Sequence, residues 1–132
     1  MPSATGEFEV KSWQKNTYQE LEGEGKLTRA SVTETFSGDI TSSSEVEWLM
    51  CHRDDGSARF VGIQRIEGAV HGRNGSFVVE SNGDFDGSQA TGTWSVLPGS
   101  GTQDLADLRG EGGFQAPLGR TDSSTLEYRS KL

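Results

Sequence analysis

A chain of 132 residues with a formal net charge of −8 fits one domain, 1–132, and its surface would repel nucleic-acid backbones and anionic membranes. Hydrophobic residues make up 31 % and glycine numbers 18, a balance that half-wet strands joined by glycine turns can reconcile. The three Trp and six Phe lie within alternating runs, which argues against a disordered chain.

Cys51 is the single cysteine, so no internal disulfide can form. The opening MPSATGEFEV has neither a basic nor an apolar region of the secretory kind, and no apolar run reaches membrane-spanning length. The expectation is a cytoplasmic protein without a membrane partner.

In chain order, Glu7 to Trp13 alternates Phe8 and Val10 with Glu7, Glu9 and Lys11, a strand with one wet face. Gln14 to Gly25 is polar and predicts a loop. Lys26 to Ile40, rich in Thr, Ser and Val, predicts a long strand, and Thr41 to Ser44 a polar turn. Glu45 to Arg53 and Arg59 to Val70 flank Asp54-Asp55-Gly56. A two-residue turn at Asp55-Gly56 would set His52 opposite Arg59, Met50 opposite Val61 and Trp48 opposite Ile63. Val46, Trp48, Met50, Val61 and Ile63 then share one apolar face, and Glu47, Leu49, Cys51, Phe60 and Gln64 the other. A three-residue loop would shift the register by one and mix the faces, so the two-residue turn is preferred.

Asn74-Gly75 predicts a second hairpin turn, with Val70 opposite Val79 and Arg65 opposite Asp84. The apolar parity switches between Ile63 and Ile66, which predicts a β-bulge near Glu67-Gly68 or just before it. Gln89 to Leu97 is a strand around Trp94, Pro98 to Gly101 a turn, Leu105 to Gly113 a short irregular strand, and Thr125 to Tyr128 a last short one. About eight strands result, enough to close a small antiparallel β-barrel around side chains or one small ligand.

The stretch from Phe60 to Phe114 carries a family resemblance. Its most specific pieces are Gly72-Arg73-Asn74-Gly75-Ser76-Phe77, then Pro98-Gly99-Ser100-Gly101-Thr102 followed by Leu105, Leu108, Gly110 and Gly112. They resemble an uncharacterised bacterial domain-of-unknown-function family whose barrel is similar to that of plant allene oxide cyclase and dirigent proteins. The resemblance implies an all-β closed antiparallel barrel, oligomeric assembly, and no metal or organic cofactor. The related plant enzymes guide cyclisation or coupling of a reactive apolar substrate by shape and a few polar groups. Two places depart from the pattern: Cys51-His52 stands where a small residue and Tyr are expected, and the tail from Glu127 to Leu132 is unusually charged.

Several motif matches fail on chemistry. Asn82 to Gly87 fits half of a calcium loop, but Thr93 stands where a bidentate Glu is required. Gly23-Glu24-Gly25-Lys26 lacks phosphate-loop spacing, and Gly110-Glu111-Gly112-Gly113 has no following helix. Adjacent strand residues Cys51 and His52 point to opposite faces and cannot share a metal.

Candidate catalytic residues are His52 as general base, Arg59 as a cation for a developing anion, and Glu47 as a carboxylate whose pKa would rise inside a barrel. Candidate ligand contacts are Trp48, Met50, Val61, Ile63, Phe60, Gln64 and Trp94. Each has a plainer role: a solvated hairpin pair for His52 and Arg59, a wet face for Glu47, and packed core or subunit interface for the apolar set. Three functions fit: a cofactor-free cyclase or isomerase acting on a small apolar molecule, a non-catalytic apolar-ligand binder, and a structural homo-oligomer.

Overall fold

Alternation runs through nearly every segment, and each alternating segment becomes a strand. The computed structural model describes residues 3–23, 25–117 and 122–129. Its strands are β1 (Ser3–Glu20), β2 (Lys26–Gly38), β3 (Ile40–His52), β4 (Ala58–Val70), β5 (Arg73–Phe85), β6 (Gln89–Val96), β7 (Arg109–Pro117) and β8 (Asp122–Arg129). A single-turn 3-10 helix, Gln103–Leu105, interrupts the run before β7. Each strand pairs antiparallel with the next. No helix among the described residues is long and apolar enough to cross a membrane.

The expected closed cylinder requires correction. Seven junctions, β1 to β8 in order, make one continuous antiparallel sheet. The sheet rolls until β8 meets β1, but only Ser3–Phe8 pairs there, with Asp122–Glu127. From Glu9 to Glu20, β1 pairs with β2 alone among the described residues. Hydrogen bonding thus completes the circuit at one end and leaves an open edge at the other. The cause is unequal length: β1 has 18 residues and β8 has 8. The result is an all-β rolled sheet, open along the outer half of β1.

The register of the first long hairpin also differs from expectation. His52 pairs with Ala58, Cys51 with Arg59, Met50 with Phe60 and Trp48 with Gly62. The loop therefore has three residues, Asp54-Asp55-Gly56, beyond the Arg53 N–H to Ser57 carbonyl bond of 2.8 Å. The Asp55 carboxylate accepts from the Ser57 N–H at 2.9 Å and hydroxyl at 2.6 Å, and Gly56 takes the left-handed conformation at φ 89°. A turn closed by a left-handed glycine is the usual three-residue hairpin. The slip of one residue reverses faces: Trp48 is 8 % exposed, whereas Val61 and Ile63 are 47 % and 55 % exposed on the outside.

The second hairpin turns at His71-Gly72, both at positive φ (50° and 79°), not at Asn74-Gly75. Val70 pairs with Arg73, Arg65 with Val78, and Asp84 with Arg59. Gly75 serves a different need. A Cβ there would lie 2.2 Å from the Thr102 carbonyl oxygen, so the glycine admits the incoming loop. No bulge occurs in β4, because Ala58, Phe60, Gln64, Ile66 and Val70 keep one parity inward throughout. The register shifts lie in β1 instead, between Val10 and Ser12 and between Thr17 and Gln19. The polar stretch 14–20 extends β1, and 41–44 lies within β3; the turn there is Gly38-Asp39. The tail residues 130–132 lie outside the described residues.

Two inward clusters result. At the end where β8 meets β1, Ile40, Ile66, Val70, Phe77, Leu105, Leu108, Leu126 and neighbours pack solidly. The 3-10 turn acts as a stopper there. β6 covers β5 only from Val79 onward, so the rest of that edge needs other partners. The Val78 N–H donates to Ser100 Oγ at 3.0 Å, the Ser76 N–H to Thr102 Oγ1 at 2.9 Å, and the Thr102 N–H to the Ser76 carbonyl at 2.9 Å. Toward the other end, Ala30, Val32, Val46, Trp48, Met50 and Phe60 form a looser lining.

Candidate functional site

The lining encloses a cavity of about 290 Å³ that opens at the end away from the stopper. Its wall is aromatic. Trp48 meets Phe60 edge-on with centroids 5.0 Å apart, and Phe114 lies 6.1 Å from each of Trp48, Phe60 and Trp94. Phe36 stacks on Trp94 at 6.0 Å, and Phe8 packs against Phe36 at 5.4 Å. Trp13 and Lys15 reach the mouth from the overhanging part of β1. The register shift after Val10 is what returns Trp13 to the inward side, opposite Val32.

Polar groups in this wall are few. Glu34 on β2, Gln64 on β4 and His52 at the end of β3 line the cavity. Glu34 and Gln64 are 8 % and 3 % exposed. Gln64 Nε2 donates to Glu34 Oε1 at 2.7 Å and to Ser44 Oγ at 2.9 Å. His52 Nε2 lies 2.9 Å from Thr28 Oγ1. Burial holds the His52 pKa below its ordinary value, and the positive charges of Lys15 and Lys26 push it the same way. A neutral imidazole at the mouth can accept or donate one proton near neutrality. A second depression of about 500 Å³ lies over Glu80, Asn82, Thr93 and Glu111, but it is polar and more open. Among the described residues, no group of three or more His, Cys, Asp or Glu could hold a metal ion.

The residues expected from the sequence divide between the two faces. His52, Trp48, Met50, Phe60, Gln64 and Trp94 meet around the cavity. Four others do not reach it. Arg59 points outward and pairs with Asp84 at 2.7 Å, with Asn82 accepting a second bond at 3.1 Å. Glu47 lies on the outer face, where hydrogen bonds from the Ser31 hydroxyl and then Arg29 lower its pKa and outweigh the opposing effect of burial. Val61 and Ile63 are exposed. Arg59, Val61 and Ile63 follow from the one-residue slip at Asp54-Asp55-Gly56, which sends odd-numbered residues of β4 outward, whereas Glu47 keeps the face opposite Trp48, and that face is the outer one.

Glu34, Phe36, Phe114 and Trp13 were missed by the sequence reading. Glu34 carries a legible signal. Along β2 the inward positions are Thr28, Ala30, Val32, Glu34 and Phe36, so a carboxyl group interrupts an otherwise apolar or small face. Phe114 gives no such signal, because β7 is glycine-rich and short.

Residues 4–128 match the family model described as "Protein of unknown function (DUF3224)". No curated protein matches the chain. Among solved structures, the chain is similar to a DUF3224-family protein of unknown function from Shewanella oneidensis MR-1, with 29 % identity and a TM-score of 0.84. That likeness covers 100 % of this chain and 99 % of the other. The match spans nearly all eight strands, and the chain belongs to the DUF3224 family.

Proposed function

We propose that the protein binds one small apolar molecule in the cup formed by the rolled sheet. The observation that carries this reading is the aromatic cavity of about 290 Å³, open at one end and stoppered at the other. A well-packed core of this size would not leave such a space. Since a dry cavity of about 150 Å³ accepts benzene, this one accepts a body of about a dozen non-hydrogen atoms. Aromatic walls with a few convergent polar groups are the usual make-up of a small-molecule site.

The test is titration with naphthalene, followed through the fluorescence of the cavity tryptophans. A saturable change is expected in the wild type. Ala90→Phe, which adds a ring to the cavity wall, should weaken binding at least about tenfold while the fold persists. A wild-type signal that never saturates would remove the binding reading.

A second reading, a cofactor-free isomerase or cyclase, is favoured by His52 and Glu34 lining the same apolar space. Orientation and desolvation would supply most of its rate gain. Any turnover found should fall at least about tenfold in His52→Ala; unchanged turnover would exclude His52 as the base. Homo-oligomerisation through the outward residues Leu49, Val61 and Ile63 belongs to the same proposal. A light-scattering mass of 14.2 kDa would contradict it. A cytoplasmic setting fits a chain with a single cysteine.

A further inference from the structure

We propose that the cup takes apolar molecules that end in one negative group, a carboxylate being the simplest, and holds that group at the mouth beside Lys15 and Lys26. This rests on the reading of the cavity as a ligand site, and it names the chemistry of the ligand.

Placement comes first. Beyond the register shift in β1, Trp13 pairs with Val32 and Lys15 with Ala30, both on the inward side of β2. Lys15 lines the cavity, and the next residues on its face of β1, Trp13 and Thr17, carry no charge. Lys26 pairs with His52, which lines the cavity from β3. Side chains of three strands thus meet at the rim. Their nearness shows in the imidazole: burial is the first cause of its lowered pKa, and the charges of Lys15 and Lys26 add to it. Charge contrast comes second. The chain carries −8 overall, which repels an anion at a distance. Salt shortens the reach of that field to about 10 Å, so the groups at the rim decide what is held there. Among the described residues neither lysine forms an ion pair. Glu20 stands opposite Lys26, whereas Ala30 stands opposite Lys15, so Lys15 carries the larger share.

Depth comes third, and it sets the orientation. Glu34, the acidic residue of the wall, lies four inward positions deeper along β2 than Lys26. An anion carried to that depth would lose its water and meet a carboxyl group. At the mouth it keeps part of its water and gains the ammonium groups. The apolar end therefore enters first, among the rings, and the charged end stays at the rim. Lys15 also has a plainer role, since an inward lysine on an open strand edge guards against pairing with another chain. A guard acts on association between chains, and a ligand anchor acts on the choice of ligand.

The experiment compares 2-naphthoate with 2-acetylnaphthalene, which are close in shape and size and differ in charge. Binding of each is measured by tryptophan fluorescence and calorimetry at about pH 8, where a carboxylate and a lysine are both charged. The proteins are the wild type, Lys15→Gln, and Lys15→Gln combined with Lys26→Gln. Plain partitioning into an apolar cavity favours the neutral ketone. The expected wild-type result is the reverse, with 2-naphthoate at least about fivefold tighter. Raising the salt from about 20 mM to about 0.5 M should shrink that preference. Lys15→Gln should shift the affinity ratio at least about threefold toward the ketone, and the double variant further. If neither probe binds the wild type, the ligand-site reading fails and takes this inference with it. If the ketone binds and is the tighter, the cup stands as a ligand site and the anion preference alone is overturned. A ratio that both variants leave unmoved would make Lys15 an edge guard and overturn its assignment as the anchor. The wild-type and salt comparisons decide the matter even if a variant does not fold.

Discussion

His52 shows how a single residue ties the cup to pH. Its pKa is lowered in the fold, first by burial and then by Lys15 and Lys26. As pH falls, the unfolded chain takes up the proton at the ordinary imidazole value, about 6.5, before the folded chain does. Stability is therefore complete above that value and declines as pH drops toward the folded one. His52→Gln should flatten the dependence of unfolding free energy between about pH 5 and 7. An unchanged slope in the variant would show that the imidazole does not couple to folding. Asp39, Asp55, Asp84, Asp86 and Glu47 also have lowered pKa values, from hydrogen bonds and ion pairs. Their stabilisation is lost only in the carboxylate range, below about pH 4, so the two windows separate. At this scale the sequence was partly legible. His52, Trp48 and Gln64 were readable as a set of candidates, but Glu34 needed the inward parity of β2 to be taken literally. Arg59 and Glu47 misled because a charge on a strand says nothing of its face until the register is known.

Between elements, the cavity depends on rings lying across glycines. Trp48 pairs with Gly62, Phe60 with Gly83, and Phe114 with Gly92. In each pair the ring occupies the space where the neighbour's Cβ would be: 2.3 Å from Trp48, 2.7 Å from Phe60 and 2.4 Å from Phe114. Aromatic rings often cover cross-strand glycines in this way. Here the effect is to lay large side chains flat on the wall, so that the sheet keeps its aromatics and its hollow together. Gly62→Ala should press the Trp48 indole into the cup, cost about 1–3 kcal/mol by overpacking, and weaken naphthalene binding. Denaturation and a probe titration measure both. A variant as stable and as tight-binding as the wild type would show that the ring does not need the glycine. These pairs explain why parity within each strand was legible and pairing between strands was not. Alternation marks Trp48 and Phe60 as lying on strands. Which face each takes depends on loop length, and Asp54-Asp55-Gly56 suits either a two- or a three-residue turn until the Asp55–Ser57 bonds select the longer. Val61 and Ile63 strengthened the wrong choice, because exposed β-branched residues look like core in a sequence.

Taken whole, the molecule assigns stability and binding to opposite ends. The floor is closed by completed strand pairing and by the stopper, whose Leu105 and Leu108 are each 1 % exposed. The mouth is bordered by the edge of β1 that has no strand partner among the described residues, and is lined by small residues such as Ala58, Ala90 and Ala116. A truncation at the floor removes buried contacts without touching the ligand space, and a filling substitution at the mouth does the opposite. Leu105→Ala should cost about 2–5 kcal/mol, as buried leucines do, and leave naphthalene affinity within about twofold at a temperature where the protein is folded. Ala90→Phe should abolish most of the binding and change stability by less than about 1.5 kcal/mol. Chemical denaturation and fluorescence titration on the two variants measure all four quantities. If Leu105→Ala weakened the probe as much as Ala90→Phe did, the cavity would depend on the rigidity of the whole roll, and the division of labour between floor and mouth would be wrong. The two effects should be independent because the fourteen-residue cluster around the stopper and the aromatic lining share only a few side chains, chiefly Phe8, Phe36 and Trp94.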